Sequence, residues 1–399
     1  MRRKSIHIKK TTEVKSPNQK TPQMAHYYDY EKYEDNNDNH HITTPTHSSN
    51  ACTFQNNVWT GSEPYVEITC LYPSLRYITT SWEMSEKPNL LISQGHEMTK
   101  RYPNAPAIVC AVYVGLCWWL PKVLNGRKFN CHPILPLWNL LLSAFSFVGF
   151  LRTFPTLLHI ILTSGSSSDP PVLMEYVPAL GHMPTFAEGT VYKVLNGLEN
   201  LFTGKASQNF GSGSCGLWVM LFIYSKFPEL LDTFFLILRA RPVIFLHWYH
   251  HITVLLFCLQ SYRLESPAGL IFCVMNYGVH TVMYLYFFLT TLSLRPKAFR
   301  PYYVTVLQLS QMFLGIATCA YSALLYNSSS QLPTSEGSHI KVNNLIAAFV
   351  MYASYFVLFA KFAWDYAERL GIGRLGRGWT RGSGSVRTKG GGQRKEKDL

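Results

Sequence analysis

No Lys, Arg, Asp or Glu occurs between Ser266 and Leu294, and none between Pro301 and Pro333. A helix on the surface of a soluble protein needs a polar face, and charge-free stretches of this length do not supply one. Each is long enough to hold the ~20 apolar residues that cross a bilayer. Similar runs recur at about 106–123, 133–152 (apolar character continuing to 163), 215–238, 242–262 and 342–364. With 267–291 and 302–325 they make seven expected spans. The chain therefore reads as an all-α integral membrane protein with seven transmembrane helices.

The rest of the sequence has a different character. Only 15% of the 399 residues are charged, yet the mean hydropathy is +0.02. A typical soluble domain has about 25% charged residues, so a polar part must be averaged here with a very apolar one. Residues 1–104, rich in Asn, Thr, Ser and His, are expected to be a polar and largely disordered segment. Residues 105–365 are the seven-helix domain, and 366–399 a basic cytoplasmic tail. The net charge of +13 divides into zero over 1–100, +7 over 101–365 and +6 over 366–399. That is a membrane protein's pattern of basic loops and tail, and nucleic acid is not an expected partner. The start MRRKSIHIKK leads into no apolar stretch, so a cleaved signal peptide is not expected. The nine cysteines show no CxxC, which points to neither a disulfide framework nor a zinc ribbon.

Loop charges set an orientation. With the N-terminus lumenal, the cytoplasmic loops carry Lys122, Arg127, Lys128, Arg239, Arg241, Arg295, Lys297 and Arg300. The opposite loops carry Arg152, Lys193, Lys205, Arg263 and Lys341. Eight against five favours that orientation. The sequon Asn327-Ser328-Ser329 then falls in a lumenal loop. Lys395 and Lys397, fifth and third from the end, match the dilysine class of endoplasmic-reticulum retrieval signals.

Chemistry concentrates in a few polar stripes. His247, His250 and His251 stand at i, i+3 and i+4 within a span that lacks formal charge, and so share one helical face. The preceding span supplies Lys226, Glu229 and Asp232, ionisable groups too costly at membrane depth unless paired or facing a cavity. A carboxylate there could hydrogen-bond an imidazole and fix its tautomer. Asn276, His280 and Tyr284 recur every four residues on the next span, and Thr305, Gln308 and Gln311 every three on the one after. Any one stripe could be interhelical hydrogen-bonding glue. Four in succession read as the walls of one buried chamber. Imidazole suits proton transfer near neutral pH and nucleophilic attack on an acyl group. Apolar walls suit a hydrocarbon chain, and basic cytoplasmic loops an anionic carrier such as coenzyme A. An acyl-handling membrane enzyme follows.

At these residues the sequence resembles a known family. KFPELLDT (226–233), HWYHH (247–251), NYGVHTVMYLY (276–286) and TVLQLSQ (305–311) are similar to the KxxExxDT, HxxHH, NxxxHxxMYxY and TxxQxxQ boxes of the fatty-acid elongases, the ELO family of very-long-chain condensing enzymes. The resemblance covers about 105–365, and HWYHH with NYGVH is most similar to the branch acting on saturated and monounsaturated chains. It implies seven transmembrane helices, six of them forming a barrel around an acyl tunnel in the endoplasmic-reticulum membrane. It also implies condensation of a long-chain acyl-CoA with malonyl-CoA to 3-oxoacyl-CoA, CO2 and CoA, with no cofactor and no metal. On that pattern His250 is the nucleophile that carries the acyl group, and His280 assists it. His247, His251, Asp232 and Asn276 orient the site, while Lys226, Glu229, Tyr284, Gln308 and Gln311 meet the substrates. Partners implied are the two CoA thioesters and membrane lipid. The reductase, dehydratase and enoyl reductase of the cycle, and a second copy of the chain as a homodimer, are admitted. Two departures stand out. Phe287 replaces a tyrosine of the family pattern, and 165–213 reads as a loop insertion.

Two rivals explain less. A di-iron desaturase or hydroxylase also uses HxxHH but needs about eight histidines in several boxes, and His132, His159 and His182 are isolated. A seven-helix receptor or transporter accounts for the spans but not for the histidine boxes.

Overall fold

The computed structural model describes residues 53–54, 65–72, 74–75, 80, 82–83, 85, 87–163, 185–202, 211–329 and 340–369. The chain divides into Met1–Ser48, which holds no described residue, and Ser49–Leu399. Lys205, the dilysine pair Lys395 and Lys397, and the tail beyond 369 lie outside the described residues.

Two short strands, β1 (Thr53–Phe54) and β2 (Tyr65–Val66), pair antiparallel. Everything else regular is helical: α1 (Ile68–Leu71), α2 (Lys87–Arg101), α3 (Ala105–Leu124), α4 (Ile134–Thr163), α5 (Thr185–Phe202), α6 (Gly213–Ser225), a 3-10 turn (Pro228–Leu230), α7 (Leu231–Leu238), α8 (Phe245–Arg263), α9 (Gly269–Thr291), α10 (Pro301–Ser329) and α11 (Val342–Arg369).

Among these, Ala105–Leu124, Ile134–Thr163, Gly269–Thr291, Pro301–Asn327 and Val342–Glu368 are long and apolar enough to cross a membrane. Large apolar side chains such as Trp118, Leu137, Phe313 and Val357 face outward, as lipid-facing surfaces do. In the apolar stretch of α9, 61% of residues are buried, against 11% in α3. The central element is thus α9, and α3 is peripheral. α9 packs chiefly on α4, where a Cβ at Gly149 would lie 2.2 Å from Cζ of Tyr277. Glycine there lets the Tyr277 ring seat and its hydroxyl donate to the Trp218 carbonyl at 2.8 Å.

The expected span 215–238 is not one helix. Pro228 has no N–H, and its ring crowds the carbonyl four residues back. The backbone tightens instead, with Lys226 N donating to Ile223 O at 3.4 Å and Phe227 N to Tyr224 O at 3.2 Å. α8 does run unbroken, but its histidines, Gln260 and Arg263 leave it less apolar than a typical spanning helix.

Three helices end in ways that the sequence does not announce. Ala240, Glu265 and Ser293 take positive φ of 50°, 52° and 60° after α7, α8 and α9. The next amide then reaches back five residues, as in Arg241 N to Leu236 O and Leu294 N to Leu289 O, 2.9 and 2.8 Å.

The stretch before residue 105, expected to be largely disordered, contains α2. Ile92 of α2 is fully buried, and Tyr224 donates to the Gly95 carbonyl at 2.7 Å. Glu67 accepts hydrogen bonds from the amide and hydroxyl of Ser214 at the start of α6. Asn89 Oδ1 accepts from Gly213 N at 2.8 Å. Arg152 is not a loop residue. It is buried in α4 and grips Glu83 through two nitrogens at 2.9 and 3.1 Å, while Trp218 Nε1 donates to the same carboxylate at 2.7 Å. Cys70 is disulfide-bonded, although the cysteine spacing pointed to no disulfide framework, whereas Cys110, Cys117, Cys258, Cys273 and Cys319 are free. Asn327 falls in the last turn of α10 rather than in a loop, and α5 occupies part of the 165–213 insertion.

Burial works to raise the pKa of Glu83, but the Thr80 amide, Trp218, Arg152 and the Thr80 hydroxyl outweigh it and hold the carboxyl below the usual glutamate range. A carboxyl depressed in the folded state stabilises the fold above its unfolded pKa, about 4.3. That stability is lost as pH falls through the lower folded value. The thermal midpoint of the detergent-solubilised protein should therefore drop on acidification below about pH 4. Glu83→Gln should lower the midpoint at neutral pH and flatten that acid limb; an unchanged limb would show that the pair contributes nothing.

Candidate active site

The break at Pro228 positions the first cluster. It folds Lys226 and Glu229 into one tight turn, with Nζ 2.8 Å from Oε1, and both residues are almost fully buried, at 2% and 4% exposed. Asn276 Oδ1, across on α9, accepts from the same Nζ at 3.2 Å, and the Phe222 ring lies 4.0 Å from it. Ser225 donates to the same Glu229 oxygen at 2.8 Å. The ammonium is thus ringed by a carboxylate, an amide oxygen and an aromatic face. Those are the groups that make a buried cation tolerable.

Asp232 sits one turn further on. Tyr284 of α9 donates to Oδ2 at 2.6 Å and Trp138 of α4 donates to Oδ1 at 2.6 Å. Both oxygens are occupied by neutral donors. The expected carboxylate–imidazole hydrogen bond is therefore not formed by Asp232, nor by Glu229, which is engaged with Lys226 and Ser225. Thr233 does that work: its Oγ1 lies 2.8 Å from His247 Nε2 and 2.5 Å from the Tyr113 hydroxyl of α3.

The three histidines of α8 do share a face. The His247 and His251 rings are 4.5 Å apart between centroids, and those of His250 and His251 5.4 Å. His250 is braced from α11, where the Tyr355 ring stands 5.0 Å away and its hydroxyl donates to the His250 carbonyl at 3.2 Å. Tyr355 also meets Thr253 at 2.5 Å, and Tyr249 meets Ser354 at 3.0 Å. His280 is buried on α9, its ring 5.3 Å from Tyr284.

Lys226, Glu229, Asn276, Asp232, Tyr284 and the α8 histidines thus belong to one connected region where α6, α7, α8 and α9 meet. Gln311 is buried on α10, and Gln308 donates to the Met283 sulfur at 3.3 Å. Among the described residues, neither hydrogen-bonds to a histidine or to Lys226. Sequence reasoning missed Tyr113, Trp138 and Tyr355. Each lies among other aromatic and apolar residues of its helix, so no polar stripe marks it. Thr233 was visible as the last residue of its box.

The sequence profile of the GNS1/SUR4 family (ELO) matches residues 98–369. The chain belongs to that family. It is 34% identical over 254 residues to very long chain fatty acid elongase 6 of Drosophila melanogaster, covering 63% of this chain and 69% of the relative. It is 33% identical to fatty acid elongase 3 of Trypanosoma cruzi (strain CL Brener), over 65% of this chain and 83% of the relative. Very long chain fatty acid elongase 6 of Gallus gallus is 34% identical, over 64% and 81%.

Removing one member of the buried pair should leave the other charge stranded. Glu229→Ala is expected to cost about 3–5 kcal/mol of stability. The apolar double variant Lys226→Met/Glu229→Leu should recover most of it. Thermal unfolding in detergent measures both; equal losses in the single and double variants would refute the ion-pair account.

Proposed function

We propose that this protein is a condensing enzyme of fatty-acid elongation, a very-long-chain 3-oxoacyl-CoA synthase. It would join a saturated or monounsaturated long-chain acyl-CoA to malonyl-CoA. The observation that carries this reading is the convergence of the KxxExxDT, HxxHH and NxxxH residues on one buried region of a family member. The names of the relatives, fatty acid elongases, support it.

In the proposed reaction an imidazole nitrogen of His250 attacks the acyl thioester carbon. The C–S bond breaks, and CoA leaves as a thiolate that takes up a proton. Malonyl-CoA then loses CO2, and the enolate carbon left behind attacks the acyl-imidazole. The new C–C bond forms as the C–N bond breaks, which frees His250 and yields 3-oxoacyl-CoA. Splitting one hard acyl transfer into two easier ones is the gain of covalent catalysis. His280 would assist at the reacting carbonyl, and His251 would help hold the site in place. Lys226, Tyr284, Gln308 and Gln311 would meet the substrates or their CoA portions. No resident metal or cofactor is required by these steps.

The same reading takes the chain as seven-spanning, with six helices around an acyl tunnel, in the endoplasmic-reticulum membrane. Its N-terminus would be lumenal and its C-terminal dilysine cytoplasmic. The disulfide at Cys70 supports that orientation, since such bonds persist in oxidising compartments. The reductase, dehydratase and enoyl reductase of the cycle, and a second copy of the chain, are the protein partners it admits.

Microsomes carrying the protein, given labelled malonyl-CoA and palmitoyl-CoA, should form a 3-oxoacyl product and release labelled CO2. His250→Ala should abolish this, and His280→Ala should reduce it by roughly 100-fold or more. Product formation indistinguishable between the wild type and His250→Ala would sink the mechanism, and stoichiometric iron in the purified protein would sink the condensing reading itself.

A further inference from the structure

Of the twenty residues of α3, the buried ones are Cys110 and Tyr113. Tyr113 turns its hydroxyl inward from a helix whose surface is mostly exposed, and the hydroxyl meets Thr233 Oγ1 at 2.5 Å. Thr233, 1% exposed, meets His247 Nε2 at 2.8 Å. Tyr113, Thr233 and His247 thus form a three-member chain linking a peripheral helix to the histidine cluster. A polar chain held away from water is favourable only when each member has a partner.

Each hydroxyl has one proton to give, so the chain runs in one of two directions. In the first, Tyr113 donates to Thr233 and Thr233 donates to His247 Nε2. In the second, His247 Nε2–H donates to Thr233, Thr233 donates to the phenol oxygen, and the phenol proton is left to Cys117, one turn along α3. A thiol sulfur is a weak acceptor, while an aliphatic hydroxyl and an imidazole nitrogen are good ones. The first direction keeps both protons in strong hydrogen bonds. Nε2 of His247 is then the acceptor and Nδ1 carries the hydrogen. His247 is only partly buried, and among the described residues its Nδ1 has no hydrogen-bond partner.

We propose that Tyr113 and Thr233 are positioning residues that hold His247 in the Nδ1–H tautomer, so that it presents an N–H donor to the reacting substrate. The role in turnover rests on the condensing activity proposed above. The tautomer itself does not. A ring locked this way can hydrogen-bond the oxygen of the acyl carbonyl or of the enolate without transferring its proton. The lock needs no carboxylate, which agrees with Asp232 being taken up by Trp138 and Tyr284.

The test uses the full-length detergent-solubilised protein. Tyr113→Phe and Thr233→Val delete one hydroxyl each while keeping the side-chain volume, and Thr233→Ser restores the hydroxyl. With 15N-histidine labelling, and His247→Ala to assign the signal, the wild type should show His247 protonated at Nδ1. Tyr113→Phe and Thr233→Val should show a mixture of tautomers, and Thr233→Ser should return to the wild-type pattern. In the condensation assay the two deletions should lower kcat by roughly 10- to 100-fold with little change in KM, the mark of an interaction made in the transition state. Thr233→Ser should keep most of the rate. His247 protonated at Nε2 in the wild type would overturn the proposal, as would Tyr113→Phe and Thr233→Val variants with unchanged tautomer and kcat. Absence of condensation in every protein, the wild type included, would refute the proposed function and the role in turnover, while the nitrogen spectra would still decide the tautomer.

Discussion

The site is organised around the cost of burying one ammonium group. Lys226 lies among helices that are apolar almost all round, where an unpaired charge is several kcal/mol out of place. Glu229 lies three residues on, a spacing that brings two side chains together on one helical face. The proline between them ends α6 and opens a 3-10 turn, and the Nζ–Oε1 distance closes to 2.8 Å. Asn276 completes the shell from α9. The ion pair within one segment and the amide oxygen from α9 together meet the cost of the buried ammonium.

Beside that pair, Asp232 and His247 meet neutral partners. Tyr284 and Trp138 supply both hydrogen bonds to Asp232, and Thr233 engages His247. Helices α3, α4 and α11 have mostly outward-facing apolar surfaces, yet each sends a polar aromatic side chain inward: Tyr113, Trp138 and Tyr355. Interhelical hydrogen bonds of this kind average about 0.6 kcal/mol and reach ~1.7 in membrane proteins. Their value here is geometric more than energetic. They fix the rotation of outer helices that lipid contacts alone would leave free.

The polar boxes were legible because an ionisable or amide residue in an apolar run is expensive and therefore conspicuous. The helices over 106–123, 267–291 and 342–364 were equally plain, since long apolar runs have one solution in a bilayer. Three things were hidden. The break within 215–238 hinged on Pro228, which lies inside the box whose residues drew attention for their chemistry. The helix ends at Ala240, Glu265 and Ser293 use a conformation usually signalled by glycine or asparagine, and these residues signal neither. Arg152 resembled a loop residue because loop charge is the commoner case, and its partner Glu83 lies 69 residues away in sequence. Long-range pairing of two charges leaves no local mark.

Glu83 changes how the polar N-terminal stretch is understood. Residues 67–97 precede the part of the chain that matches the family profile, yet they hold both Arg152 of α4 and the first turn of α6. α6 is the helix whose far end delivers Lys226. Its near end is fixed by Glu67 on Ser214, by Asn89 on Gly213 and by Glu83 on Trp218. Carboxylates at a helix N-terminus also oppose the positive end of its dipole, so Glu67 both satisfies free amides and favours the helix that carries the site. An arginine buried in α4 is tolerable only while Glu83 is present. The family domain of this protein has therefore become dependent on a segment outside it, through a charge that would otherwise have no reason to be there.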